Sequence, residues 1–581
     1  MATRTTPSHW QLLAELVRPR RRALMLMGVA LAAASALPLA GPQLLRAFID
    51  RAVDAAPLAV LLTIAGGYVV LGVAAQAAAV GTTYAATRMA WSATNILRER
   101  AAAHALRLDL GFHGATSPGA LVERIDGDAT SITRLFTDVV LKVVGGALTL
   151  IGAVALVARE DWRVGLAMAA FTTAAIALVV RLRDRAVPQT VAERAAYADV
   201  IGLVAEQLDG GEDLRALGAG GFALDRHEQA SARHSGAMAG AWLASARIWT
   251  TTTGAFALGG VGMLTAGWLL HRRGAMTIGT VFLLFQYVQI LRRPIETIAE
   301  QLQEIQRSAA GAARIGRLLD ERPAVDGGGG SRLPTGALAV TFERVGFAYP
   351  DDGRTVLDGV DLHVPAGTVV GLVGRTGSGK TTLARLALRL ADPTGGRIRL
   401  GGVDLRDADP VDLRHRVAVV TQDVQLFDAS VRDNLTLFGD GDDAAMVDVV
   451  RRLGLGSWFD ALPEGLDTVL GDGAALSGGQ AQLLGIARAF LRDPGLVVLD
   501  EASSRVDPAT AERVERALDR LLAGRTALVI AHRLRAIDRA DAVVVLEAGR
   551  IVEAGPRAEL VDDPASRFHR LLRLEAEGVS A

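Results

Sequence analysis

The run Gly374-Arg375-Thr376-Gly377-Ser378-Gly379-Lys380-Thr381 fits the spacing GxxxxGK[ST], a loop whose backbone amides wrap phosphate groups. In that chemistry Lys380 bridges β- and γ-phosphate oxygens, and the Thr381 hydroxyl binds Mg²⁺. Only two of the 62 basic residues are lysines, Lys142 and Lys380. A compact, flexible ammonium suits that reach better than the planar fork of arginine. Further on, the apolar run 496–499 ends in Asp500-Glu501, an acidic pair at a strand end. Between the two lies Leu476-Ser477-Gly478-Gly479-Gln480.

These residues need a particular scaffold. Residues 369–373 are an apolar strand running into the glycine loop, and the chain is helical from Thr381, so a helix N-terminus points at the phosphates. From about residue 338 short β-branched strands alternate with helices, the pattern of a mainly parallel sheet. Asp500 then sits at the carboxyl edge of that sheet, where open α/β sheets bind ligands.

A phosphate loop followed by LSGGQ and an acidic strand end resembles the ATP-binding-cassette (ABC) family. The resemblance implies roles for further residues. Asp500 coordinates Mg²⁺ through water, and Glu501 orients and deprotonates the attacking water. Gln422, in Val420-Thr421-Gln422-Asp423, contacts Mg²⁺, and His532, in Ile530-Ala531-His532-Arg533, contacts the γ-phosphate. Tyr349, about 25 residues before the loop, stacks on adenine, and Thr382 belongs to the same cradle. Ser477, Gly478, Gly479 and Gln480, with Asp507, form a half-site presented to ATP on a second subunit.

The rest of the chain is of another kind. Half of the 581 residues are hydrophobic, concentrated before about residue 300. Six segments approach the ~20 apolar residues of a spanning helix: 23–45, 58–80, 139–157, 164–180, 248–270 and 278–291. The last stops early at Arg292-Arg293-Pro294. Arginines at 18, 20–22, 88, 98, 100, 181, 183, 185, 292 and 293 fall on one side of these spans, which places the N-terminus in the cytoplasm with the ATPase. The long cytoplasmic connections, 81–138 and 181–247, read as helical extensions. They resemble those of the family's exporter fold, whose coupling helices correspond to 112–123 and 206–218. Asp138 and Lys142, four apart, pair on one helix, while Thr250 to Thr253, Gln286 and Gln289 are polar candidates for a translocation path.

The expected organisation is therefore an α-helical transmembrane domain (1–322), a flexible glycine-rich linker (323–337) and an α/β P-loop ATPase domain of ABC type (338–581). No cysteine is present, which excludes disulfides and thiol chemistry, and the net charge of -1 argues against nucleic acid as a partner. The whole reads as a half-transporter that uses ATP and Mg²⁺ to export a small molecule, lipid or peptide across the cell membrane by alternating access, its partner a second half-transporter and the identity of its substrate open. An importer on the same scaffold, a regulatory ATPase and a soluble cassette acting on DNA or ribosomes are the competing readings. Three departures from the family pattern tilt the expected pairing towards a non-identical partner over an identical copy. They are Gly471-Asp472-Gly473, Ala481-Gln482-Leu483 and Ser504-Arg505-Val506-Asp507.

Overall fold

The computed structural model describes residues 21–325, 327–349, 353–471, 476–500, 508–531 and 537–576. They fall into two compact units. One holds the long helices up to Leu106 together with Gly119–Glu321; the other holds Arg107–Pro118 and the chain from Arg322.

The first unit is built from α1 (Arg21–Val53), α2 (Leu58–Ala105), α3 (Pro118–Glu160), α4 (Trp162–Asp209), α5 (Gly220–Arg272) and α6 (Ile278–Asp320). At 1.5 Å per residue, the 48 residues of α2 and of α4 reach about 72 Å, more than twice a hydrocarbon core. The expected extensions of the spans are thus continuous helix.

Among the described residues five helices, α1 to α5, are long and apolar enough to cross a membrane. The most apolar window of α2 buries none of its residues within the chain, so that surface is made for lipid or for another subunit. The sixth expected span is not among the five. Its apolar run is only the first part of α6, and Arg292 and Arg293 follow at once.

Instead, α6 is the helix the others surround: Leu283, Leu284, Tyr287, Val288 and Leu291 are fully buried. Small residues let its neighbours approach. A Cβ at Gly267 of α5 would stand 2.9 Å from Val281, and one at Gly146 of α3 would stand 3.3 Å from Ile298. Polar ties fix the register. Tyr287 donates to the Leu39 carbonyl at 2.8 Å, and Asp50 accepts from the Gly279 amide and the Thr277 hydroxyl, both at 2.9 Å. Towards the other end, buried Asp128 accepts from Arg314 Nε at 2.9 Å. Lys142 and Asp138 pair at 2.9 Å on their own helix.

Both expected coupling segments contain a short helix, shifted from the sequence estimate. Leu110–Ala115 is capped by Asp109, and the break falls at Thr116 and Ser117, because Pro118 opens the next helix instead of ending one. Gly211–Ala216 follows the turn at Gly210.

The second unit has two sheets. One is antiparallel, order β2-β1-β4-β5, made of β1 (Val340–Ala348), β2 (Thr355–Val364), β4 (Gly395–Leu400) and β5 (Val403–Asp404). The other runs β10-β9-β3-β8-β7-β6, with β3 (Val369–Val373), β6 (Val417–Val420), β7 (Leu496–Asp500), β8 (Thr526–Ile530), β9 (Ala542–Glu547) and β10 (Arg550–Pro556). Its central strands are parallel and covered on both faces. Val497, Leu499, Ala527 and Val529 enter one core, while Leu496, Val498, Leu528 and Ile530 enter the other.

The expected linker is not free chain. The Ser331 amide bonds the Asp407 carbonyl at 2.9 Å, the Leu333 amide bonds Asp412 at 2.6 Å, and Leu333 is buried. Glycine occurs there because the backbone is tightly packed: a Cβ at Gly328, φ 80°, would stand 2.2 Å from the Ala408 carbonyl oxygen.

Candidate active site

The phosphate cradle follows from where β3 ends. Gly374 adopts φ 145°, and a Cβ there would stand 2.2 Å from the Leu546 carbonyl oxygen of β9, so only glycine fits. Arg375, Thr376 and Gly377 form an exposed tip. Gly379, in the left-handed region, caps α7 (Lys380–Ala387), and the chain turns inward again.

Lys380 is buried, and its Nζ donates to the carbonyls of Gly374 and Arg375 at 2.6 and 3.1 Å, so its ammonium lies across the loop. Ser378 Oγ is buried without a hydrogen-bond partner. An orphaned hydroxyl inside a ring of backbone amides is what a phosphate-binding loop presents. Thr381 is half-buried at the start of α7; Thr382, one residue on, is buried, and its Oγ1 lies 3.2 Å from the Tyr349 hydroxyl. Phe347 meets the Tyr349 ring edge-on at 5.0 Å, which holds the half-buried tyrosine beside the cradle helix.

Strand register brings the acidic end to the same edge. Ile530 pairs with Leu372 on one side and with Asp500 on the other. Asp500 therefore lies two strands, about 10 Å, from the mouth of the loop. Gln422 is exposed two residues beyond the end of β6, the strand next to β7. An apolar cavity of about 630 Å³ opens beside it, lined by Val420, Val424, Phe427 and Arg488 among others.

Ser477 caps α8 (Gly478–Leu491) with a reciprocal pair. The Gln480 amide donates to Ser477 Oγ at 3.3 Å, and the Ser477 amide donates to Gln480 Oε1 at 2.9 Å. Gln480 thus spends its side chain on the cap. Gly478 is exposed at the helix start, and Gly479 is buried. Glu501, His532 and Asp507 lie outside the described residues, as do two of the three departures from the family pattern in the main. The third is inside them: Gln482 and Leu483 are buried in their own domain, and Ala481 is half-buried.

Comparison with known proteins settles what this assembly is. Residues 24–295 match the family "ABC transporter transmembrane region", and residues 357–504 match "ABC transporter". An ATP-dependent lipid A-core flippase of Chromohalobacter salexigens is 33% identical, covering 99% of this chain and 100% of its own. The chain belongs to the ABC transporter family. A second flippase of that name, from Ralstonia nicotianae, is 31% identical over 96% of this chain and 95% of its own. A bacterial Atm1-family ABC exporter, solved with ATP bound, shares the fold at TM-score 0.78 and 23% identity, covering 96% of this chain and 98% of that one. This ABC protein is an ATP-driven membrane transporter of the exporter fold, a half-transporter that works as a dimer. It couples ATP hydrolysis to transport, with its ATPase domain on the cytoplasmic side.

Proposed function

We propose that the transporter exports a lipid-like amphiphile, pairs with an identical copy, and hydrolyses Mg·ATP at two sites shared between the copies. One observation carries this: a single chain holds the Lys380 cradle, the Ser477-capped helix and a membrane unit. Two copies therefore complete two equivalent sites. The buried Gln482 and Leu483 remove one reason for an unlike partner, since a side chain inside its own core selects no neighbour. The lipid class rests on the relatives, which are named as lipid A-core flippases and match this chain almost end to end.

In this reading residues 278–291 are the sixth span, held in the bundle by the buried face of α6. The domain boundary falls at 322–323, with 323–337 docked on the ATPase. Lys380 and the loop amides from Gly374 to Lys380 hold the β- and γ-phosphates, and Tyr349 takes the adenine face. Thr381, Gln422 and Asp500 supply hard oxygen ligands of the kind Mg²⁺ takes, and the ion would offset charge on the transferred phosphoryl group. Glu501 receives the proton of the attacking water, while His532 contacts the γ-phosphate. Ser477 Oγ, Gly478, Gly479 and Gln480, with Asp507, close the partner's site.

The chain expressed and purified alone is expected to run as a dimer and to hydrolyse ATP. Activity should fall about 100-fold or more in Lys380→Ala. A monomer, or turnover unchanged by that substitution, overturns the proposal.

A further inference from the structure

The first expected coupling segment lies between two membrane helices in sequence, yet Arg107–Pro118 belongs to the same compact unit as the chain from Arg322. The Asp109 carboxylate ties it there. Its Oδ1 accepts from the Gly111 and Phe112 amides at 2.9 and 3.2 Å and so caps the helix Leu110–Ala115. Its Oδ2 accepts from the Ala324 amide, in the linker, at 2.7 Å. We propose that Asp109 is a positioning residue that couples ATP hydrolysis to movement of the membrane helices, by fixing the first coupling helix to the linker. The proposal rests on the reading of the transporter as a pair of identical copies.

Two roles on two oxygens make Asp109 more than a cap. Serine or asparagine caps a helix as well as aspartate does. Serine has no second oxygen to offer Ala324, and asparagine would turn an NH₂ group towards the Ala324 N–H, a donor facing a donor. Aspartate serves both partners at once, and its charge strengthens each bond.

The linker carries the tie onward through the ATPase unit. The Ser331 amide bonds the Asp407 carbonyl at 2.9 Å, and the Ser331 carbonyl accepts from the Asp409 amide at 2.8 Å. The Leu333 amide bonds Asp412 at 2.6 Å. Asp409 in turn caps the helix Pro410–Arg416, which runs directly into β6. Gln422 lies two residues past the end of that strand. A contiguous series of hydrogen bonds and regular elements thus joins Asp109 to a residue of the nucleotide site.

On the membrane side, α2 ends at Ala105 and α3 begins at Pro118, so the tied segment is the connection between them. Within the membrane unit, His104 Nε2 in the last turn of α2 donates to the Glu321 carbonyl, at the C-cap of α6, at 2.9 Å. A displacement of the linker therefore reaches the ends of α2, α3 and α6 together.

The chain has no cysteine, so a single one can be introduced cleanly. The test uses the full-length dimer in nanodiscs, spin-labelled through Ala275→Cys in the exposed connection between α5 and α6. The distance between the two labels is read with and without ATP and vanadate, and hydrolysis is measured on the same samples. Wild type is expected to hydrolyse ATP and to change its label distance on trapping. Asp109→Ser and Asp109→Asn should keep hydrolysis within about twofold, while the fraction of molecules that change falls severalfold. Ala324→Pro removes the donor and leaves the cap, and it should reproduce that split; combined with Asp109→Ser it should add nothing further. Asp442→Ser, the same change at a cap elsewhere in the ATPase domain, should behave as wild type. Thermal unfolding of each variant checks folding. A full distance change in the Asp109 and Ala324 variants overturns the proposal. So does a proportional fall of hydrolysis and distance change, the result of a cap that only stabilises. A wild type without a label distance would instead defeat the reading of two identical copies, and this proposal with it.

Discussion

At the scale of single residues, the account turns on groups that cannot be exchanged. Gly374→Ala drives a Cβ into the Leu546 carbonyl, and the β3–β9 pairing must open to receive it. A loss of about 2–4 kcal/mol in the ATPase domain is expected, read by chemical unfolding, together with loss of nucleotide binding. Asp109 shows the same logic in a cap. Burial alone would raise its pKa, but hydrogen bonds from the Ala324, Phe112 and Gly111 amides outweigh it and hold the carboxyl below the usual range. A carboxylate with a depressed folded pKa stabilises above its unfolded value, about 4, and loses that contribution as pH falls through the folded value. Asp109→Asn should therefore cost about 1 kcal/mol at neutral pH, and its gap to wild type should close below pH ~4 in thermal melts. The cradle residues were legible in the sequence because a phosphate loop is written in consecutive positions. Thr252 was only one of several candidate threonines there. The missing hydrogen bond of its buried hydroxyl, and the ion pair of Glu300 with Arg183, depend on three helices meeting, which no local spacing encodes.

At the scale of elements, α6 differs most from its sequence. Its short apolar run looked like a weak span, yet it is the most buried helix of its unit, since a helix covered by its neighbours needs no long lipid-facing surface. The glycines at 327–330 suggested slack chain, whereas Gly328 and Gly329 lie against Ala408 and Asp407. Glycine allows either outcome, and only the packing partner decides. One asymmetric prediction belongs here. Asp128 is buried, and its partner Arg314 is half-exposed. Arg314→Ala leaves a carboxylate without its counter-charge and should cost about 3 kcal/mol; Asp128→Ala leaves only a cation that water reaches and should cost less. Thermal unfolding of the two variants in detergent would show the order, and equal losses would contradict it.

At the scale of the whole molecule, a membrane bundle and a cassette ATPase share one chain, and each is incomplete alone. The apolar surface of α2 is uncovered by its own chain, and the helix capped by Ser477 serves no site within it under the proposed function. ATP can drive such a pair only by binding the closed arrangement better than the open one. Ser477→Arg should thus abolish hydrolysis while leaving the chain's own Lys380 cradle able to bind nucleotide, a split that ATPase and nucleotide-binding assays separate. The most direct measurement is transbilayer movement of a labelled amphiphile in proteoliposomes whose ATPase domains face outward. The account predicts ATP-dependent movement into the vesicles by wild type and none by Lys380→Ala. Equal movement by both, or movement without nucleotide, would contradict it.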